Sequence, residues 1–235
     1  MTGPLAELAA RASTCTRCRL AQTRTQVVFG VGDPQADLMF IGEAPGMHED
    51  RQGEPFVGAA GQLLTRMLGE IGLRREDVYI ANVLRCRPPG NRDPLPDEIE
   101  ACTPWLVDTI SLIQPLLLVT LGNFATKFVL QTPRGITTLR GSVYDWHGRR
   151  VIPTFHPAAI LHGGGEKGRQ FQDLRADFAL ISETLARLQG ARPADAAAAP
   201  TAAISATTAA APPPAALPAA SSPPLAEPID QLELF

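Results

Sequence analysis

Four short stretches of the chain, 38–41, 78–81, 116–119 and 151–154, are apolar almost without interruption. Runs of this length with no polar alternation predict strands buried on both faces, as in a parallel sheet. Between them the period changes. Residues 62–71 carry a helical pattern that stops at Gly72, 96–113 a longer one with an acidic start, and 123–130 a third. A last helix over 169–188 places Phe171, Leu174, Phe178 and Ile181 on one stripe, and a short amphipathic helix is expected within 1–12. Strands alternating with helices in this way predict a three-layer α/β/α sandwich with a mainly parallel central sheet.

Each predicted strand runs into polar residues that can do chemistry. The first leads to Gly42-Glu43-Ala44-Pro45-Gly46, the second to Asn82, the third to Gly122-Asn123 and the fourth to Phe155-His156-Pro157. Ligands of open α/β sheets bind beyond the carboxyl ends of the strands. A carboxylate, an amide and an imidazole are therefore expected to converge on one crevice.

Composition divides the 235 residues. The α/β pattern ends near 190; residues 191–230 are dominated by Ala, Pro, Ser and Thr with no aromatic residue, and are expected to form a disordered linker. The tail from 191 onward carries the net charge of −3, leaving 1–190 formally neutral. Overall charge thus neither requires nor excludes a nucleic-acid partner. The longest apolar run, 115–121, is too short to span a membrane. The first twelve residues contain charges and lack the long apolar core of a secretory signal, so a cytoplasmic setting with reduced thiols is expected.

That setting changes the reading of the four cysteines, Cys15-x2-Cys18 and Cys86-x15-Cys102. Grouped thiols in a reducing compartment point to metal rather than disulfides. A second Cys-x-x-Cys knuckle, frequent in structural zinc sites, is missing. One close pair with two scattered thiolates suits an iron–sulfur cluster, while zinc and four unrelated buried thiols stay open on spacing alone. Arg17, Arg19 and Arg24 surround the first pair, and Arg85, Arg87 and Arg92 surround Cys86. They read as counter-charge for thiolates, as a phosphate-facing surface, or as both.

Other features carry plainer expectations. Gly30-Val31-Gly32 precedes a strand instead of opening a helix and is no dinucleotide fingerprint. Gly58-Ala59-Ala60-Gly61 has no phosphate-loop lysine and reads as a helix start. His48, His147 and His162 read as surface residues, Asn123 as the cap of its own helix, and Trp105, Phe124 and Phe128 as core.

The runs Gly42 to Gly46, Glu54-Pro55-Phe56-Val57-Gly58, Asn82 through Arg92 and His156-Pro157-Ala158 together resemble the family 4 uracil-DNA glycosylases, over about residues 10–190. The resemblance implies a DNA repair enzyme that flips uracil out of single- or double-stranded DNA and hydrolyses its N-glycosidic bond. It implies a 4Fe–4S cluster on Cys15, Cys18, Cys86 and Cys102, and a monomeric glycosylase domain over 1–190. Phe56 would stack on the base, Asn82 would read its pyrimidine edge, and backbone amides at Gly42, Glu43 and Ala44 would hold a carbonyl. His156 would donate to O2 as negative charge develops there. The segment 158–168 would be a loop inserted into the DNA groove, with Leu161 or Ile160 as wedge, and Lys167, Arg169, Arg87 and Arg92 near phosphate.

Two departures qualify the resemblance. Family 1 relatives carry an aspartate third, which orients water, and a tyrosine fifth, which blocks thymine's methyl, in the loop that here holds Ala44 and Gly46. Glu43 is therefore the nearest substitute, positioning water or shielding the C5 side of the base. A cluster-bearing relative that becomes covalently trapped on DNA has a histidine before its last cysteine; none lies between Cys86 and Cys102, and ordinary turnover is expected. Residues 231–235, Gln231-Leu232-Glu233-Leu234-Phe235, resemble peptides that dock on the bacterial β sliding clamp, with Gln231, Leu232, Leu234 and Phe235 as contacts. The competing reading is a non-catalytic iron–sulfur DNA-binding module of a replication or repair complex.

Overall fold

The computed structural model describes residues 3–191; most of the 191–230 linker and the whole 231–235 peptide lie outside the described residues. The strands are β1 (Val31–Gly32), β2 (Leu38–Gly42), β3 (Tyr79–Asn82), β4 (Leu117–Leu121), β5 (Tyr144–Trp146) and β6 (Arg149–Thr154). The α-helices are α1 (Pro4–Ser13), α2 (Met47–Gln52), α3 (Ala59–Glu70), α4 (Pro96–Ile113), α5 (Gly122–Leu130), α6 (Ile136–Leu139), α7 (Pro157–His162) and α8 (Arg169–Gly190). The sheet runs in the order β1-β3-β2-β4-β6-β5. Its four inner strands are parallel, and the two edge strands β1 and β5 are antiparallel to their neighbours.

The apolar runs are explained by burial on both faces. Met39, Ile41, Tyr79, Ala81, Leu118 and Val151 pack with α1, α4 and α5 on one side. Their neighbours Leu38, Phe40, Val78, Ile80, Leu117, Val119 and Ile152 pack with α3, α7 and α8 on the other. Two-residue periodicity sends alternate side chains to opposite layers, so a strand between two helical layers needs apolar residues at every position. The result is a three-layer α/β/α sandwich.

Three differences from the sequence reading concern short elements. The edge strands β1 and β5 have partly exposed side chains and only two and three residues, too few for a period to register. The expected loop after His156 begins as helix α7, because Pro157 sits at its first turn, where a missing N–H is harmless. Within α7 Ile160 is 1% exposed and cannot act as a wedge, whereas Leu161 is 39% exposed. Asn123 accepts a hydrogen bond from the Ile136 N–H at 3.1 Å, so it caps α6 and not its own helix.

A buried polar junction fixes the end of β6. Asp177 of α8 accepts from Thr154 Oγ1 at 2.6 Å and from Arg140 Nε and Nη2 at 2.9 and 2.6 Å. The Arg140 guanidinium lies over the Phe155 ring at 5.3 Å. Burial pushes the Asp177 carboxyl up, and the hydrogen bonds from Thr154 and Arg140 oppose that shift. The carboxylate therefore ties α8 to the strand end immediately before His156.

Candidate active site

The register of β2 and β3 pairs Gly42 with Asn82. A Cβ on Gly42 would lie 2.4 Å from Asn82 Oδ1 and 2.6 Å from Phe56 Cζ, so only glycine lets both side chains reach this point. Beyond the strands the two loops stay knitted: Val83 donates to the Gly42 carbonyl and Leu84 to the Glu43 carbonyl, each at 2.9 Å. Asn82 is 2% exposed, and its Oδ1 has no hydrogen-bond partner among the described residues. An orphaned acceptor of this kind costs about 1–3 kcal/mol, a cost that a ligand donor would remove.

His156 enters from the end of β6. Gly122, at the end of β4 with φ 86°, leaves room for it; a Cβ there would sit 2.9 Å from His156 Cβ. His156 is also the N-cap of α7, and its Nδ1 accepts from the Ala158 N–H at 3.1 Å. A backbone N–H can only donate, so Nδ1 is unprotonated and the neutral ring carries its proton on Nε2. Burial lowers the His156 pKa from 6.5 to about 4, against the opposing pull of the Glu49 charge.

Phe56 faces His156 with ring centroids 5.5 Å apart and planes 30° from parallel. Its backbone is left-handed, with φ 55°, a conformation that costs a non-glycine residue about 1–3 kcal/mol. Glu43, Ala44, Phe56, Asn82, His156 and Glu49 line one cleft of ≈ 450 Å³ at the carboxyl ends of the strands. Gly42 contributes room at its floor. Burial raises the Glu43 carboxyl, with a smaller contribution from Asp93, and no described residue bonds or pairs with it.

Glu49 escaped the sequence reading. Its Oε1 accepts from the Val57 and Gly58 N–H groups, both at 3.0 Å, and its Oε2 lies over Gly46. The available signal was its place in the first turn of a short helix after Gly46, where a carboxylate is favoured by the helix dipole.

The four cysteines, all free thiols, line a separate small pocket with Arg17, Arg24, Arg85 and Trp105. Trp105 Nε1 and Arg24 Nη1 point at Cys15 and Cys86 sulfurs, each at 3.4 Å, and the Arg85 N–H at Cys102 sulfur at 3.2 Å. Such donors suit thiolate ligands. Among the described residues no three or more His, Cys, Asp or Glu cluster tightly enough to hold a single metal ion. Burial pushes the Cys86 thiol up to about 11 and Cys102 in the same direction, so any cation taken up here must displace thiol protons.

The arginines separate into distinct roles. Arg85 is 1% exposed, lies 5.0 Å from the Phe29 ring centroid and donates to Thr109 Oγ1 at 3.0 Å, so it does not face a phosphate. Arg92 borders the cleft, but its guanidinium is held by the buried Glu98 at 2.5 and 2.9 Å. Arg87 donates to Asn91 at 2.7 Å, and Arg19 pairs with Asp97 at 2.8 Å. Lys167 and Arg169 are exposed, as are His48, His147 and His162, the last of these at the cleft mouth.

The family model described as the Uracil DNA glycosylase superfamily matches residues 29–179, which contain every residue of this cleft. The chain belongs to the uracil-DNA glycosylase superfamily. It is 46% identical over 184 residues to the type-4 uracil-DNA glycosylase of Archaeoglobus fulgidus, covering 75% of this chain and 90% of that protein. It is 48% identical over 179 residues to the type-4 enzyme of Sulfurisphaera tokodaii, covering 72% and 80%. The type-4 enzyme of Thermotoga maritima is 47% identical over 162 residues, covering 68% and 84%. Membership in this superfamily agrees with the resemblance read from the sequence. The first cysteine pair and α1 lie outside the span of the family model, although α1 packs on α4.

The protonation of His156 is directly testable. In NMR titrations, with the signal assigned against His156→Ala, its ring should stay neutral across the neutral range and change only near pH 4. The unfolded ring titrates near 6.5, so between that value and about 4 the unfolded state binds more protons and this group lowers stability as pH falls. A midpoint near 6.5 in the folded protein would overturn the assignment.

Proposed function

We propose that this chain removes uracil from DNA by hydrolysing the bond between C1′ of the sugar and N1 of the base. The single observation that carries the reading is the buried Oδ1 of Asn82, without a partner among the described residues, in the cleft it lines with Phe56 and His156. It supports recognition of a base edge bearing an N–H, as uracil does at N3. Cytosine presents an acceptor there and would leave two acceptors facing each other. Stacking of the flipped base on the aromatic face of Phe56 would add about 1–3 kcal/mol. Superfamily membership and a cleft complete with carboxylate, amide, aromatic face and imidazole disfavour a purely DNA-binding module.

In this mechanism the C1′–N1 bond breaks and its electron pair leaves with uracil, with charge accumulating at O2. His156 Nε2–H donates to that oxygen from a neutral ring, a donor that gains strength as the charge develops. A water adds its oxygen to C1′ and gives its proton to a carboxylate. Ala44 offers none, and Glu49 already spends Oε1 on two backbone amides. Glu43 has no hydrogen-bond or ion-pair partner among the described residues, and its raised pKa suits it to accept a proton. The abasic sugar then carries the hydroxyl group.

The thiol pocket is read as the seat of a 4Fe–4S cluster. What supports this is the donor set: four thiols sharing one pocket, three N–H groups aimed at sulfur, and nearby guanidinium charge. Cys15, Cys18, Cys86 and Cys102 would hold it. When bound it would supply a structural crosslink between the N-terminal segment and the chain after β3. Residues 231–235, outside the described residues, are read as a clamp-docking peptide, which would raise the local concentration of the enzyme near DNA.

Incubation with oligonucleotides containing one uracil, followed by alkaline cleavage, should give strand scission in single- and double-stranded DNA. No scission opposite either guanine or adenine would refute the activity. Asn82→Asp should slow uracil release and make cytosine release measurable; undetectable cytosine release would contradict the role given to Asn82. Purified protein should be brown and contain iron and acid-labile sulfide in equal amounts, whereas colourless, zinc-loaded, active protein would exclude the cluster. Deleting 231–235 should leave oligonucleotide cleavage intact and abolish co-purification with sliding clamp; retained co-purification would discard the peptide.

A further inference from the structure

The segment 55–58 carries Phe56 from α2 to α3, and three groups hold it from different sides. Glu49 accepts from the N–H groups of Val57 and Gly58, each at 3.0 Å. Arg75, from the 3₁₀ turn Arg75–Asp77 that precedes β3, donates through Nη2 to the Pro55 carbonyl. Gly61 lies flush against the Phe56 carbonyl, where a Cβ would fall 1.7 Å from the oxygen. The peptide dipoles of this segment therefore run between a guanidinium at one end and a carboxylate at the other.

Phe56 belongs to the buried core, but its segment is not enclosed on every side. Behind Phe56 lies an open space of ≈ 340 Å³ bordered by Phe56, Val57, Gly61, Gln62, Thr65 and Arg75. A left-handed non-glycine residue beside such a space has both the incentive and the room to relax backward. Arg75 is the group that opposes this movement from the rear. Among the described residues its Nη1 has no hydrogen-bond partner, so the guanidinium donates to Pro55 alone, with the charges of Glu54 and Glu49 nearby.

We propose that Arg75 is a positioning residue for base capture: by fixing the Pro55 carbonyl it keeps the Phe56 ring in the plane that receives the base. Arg75 is not among the residues that line the cleft. The proposal rests on the uracil reading of the cleft. Orientation of this kind is lost steeply, since displacement of a reacting group by about 1 Å can cost on the order of a hundredfold in rate.

The test compares Arg75→Met, which keeps length and loses the donor, with Arg75→Lys, which keeps a charged donor. Three quantities are read: inhibition by free uracil, single-turnover excision from a single-stranded oligonucleotide, and affinity for an abasic-site duplex. Arg75→Met should weaken uracil inhibition and slow excision by about tenfold or more, while abasic-duplex affinity stays within about twofold of wild type. Arg75→Lys should recover much of both losses. If the methionine variant does not fold, Arg75→Gln, a shorter side chain unable to reach Pro55 with a charged donor, is read the same way. Unchanged uracil inhibition in a folded donor-less variant, or parallel loss of uracil and duplex binding, would overturn the proposal. A wild-type protein inert toward uracil would instead overturn the reading of the cleft, and this proposal with it.

Discussion

The pairing of Gly42 with Asn82 at the carboxyl ends of two parallel strands is the constraint on which the cleft depends. Because side chains alternate, a one-residue slip between β2 and β3 would send Asn82 into the opposite layer and bring a side chain where glycine is needed. That register is held by apolar residues buried on both faces and by the Val83 and Leu84 bonds back to the β2 loop. The polar reader is therefore positioned by an apolar sheet. Its unpartnered oxygen is tolerated because burial elsewhere in the strand fixes its place.

The same division of labour holds around the rest of the cleft. His156 stands at a strand end anchored by Thr154, Asp177 and Arg140, and its own ring caps the helix that follows. That cap determines which ring nitrogen carries the proton, while burial keeps the ring neutral. The cleft thus offers a preorganised uncharged donor, which opposes charge only when charge appears. Glu43 and Glu49, six residues apart in sequence, have opposite fates. Glu43 has no bonding partner among the described residues, and Glu49 is absorbed into holding the Phe56 segment.

The thiol pocket is separate from this chemistry in space and in composition. Its surroundings join the N-terminal segment to α4 through Arg19 and Asp97, through Trp105 and Cys15, and through Arg17, whose guanidinium lies 4.5 Å from the Trp105 ring centroid. Trp105 is thus both core, as its helical position suggests, and a donor to sulfur. A cluster in this pocket, as proposed, would reinforce connections that protein groups already make. Arg85, enclosed between Phe29 and α4, supplies fixed positive charge beside two of the thiols.

The sequence by itself determined the layered fold and the convergence of Glu43, Asn82 and His156. Uninterrupted apolar runs leave few alternatives to a doubly covered parallel sheet, and the residues after such strands must meet at one edge. It did not reveal β1 and β5, which are too short and too exposed to carry a period, nor α7, a six-residue helix that runs directly into the glycines at 163–165. Only the tertiary structure decided which charges face the cleft and which are consumed internally. Arg85 became buried, Arg92 became Glu98's partner, and Glu49 and Arg75 closed on opposite ends of the Phe56 segment. Local sequence records residue type and spacing, whereas the fate of a charge depends on partners brought together from distant parts of the chain.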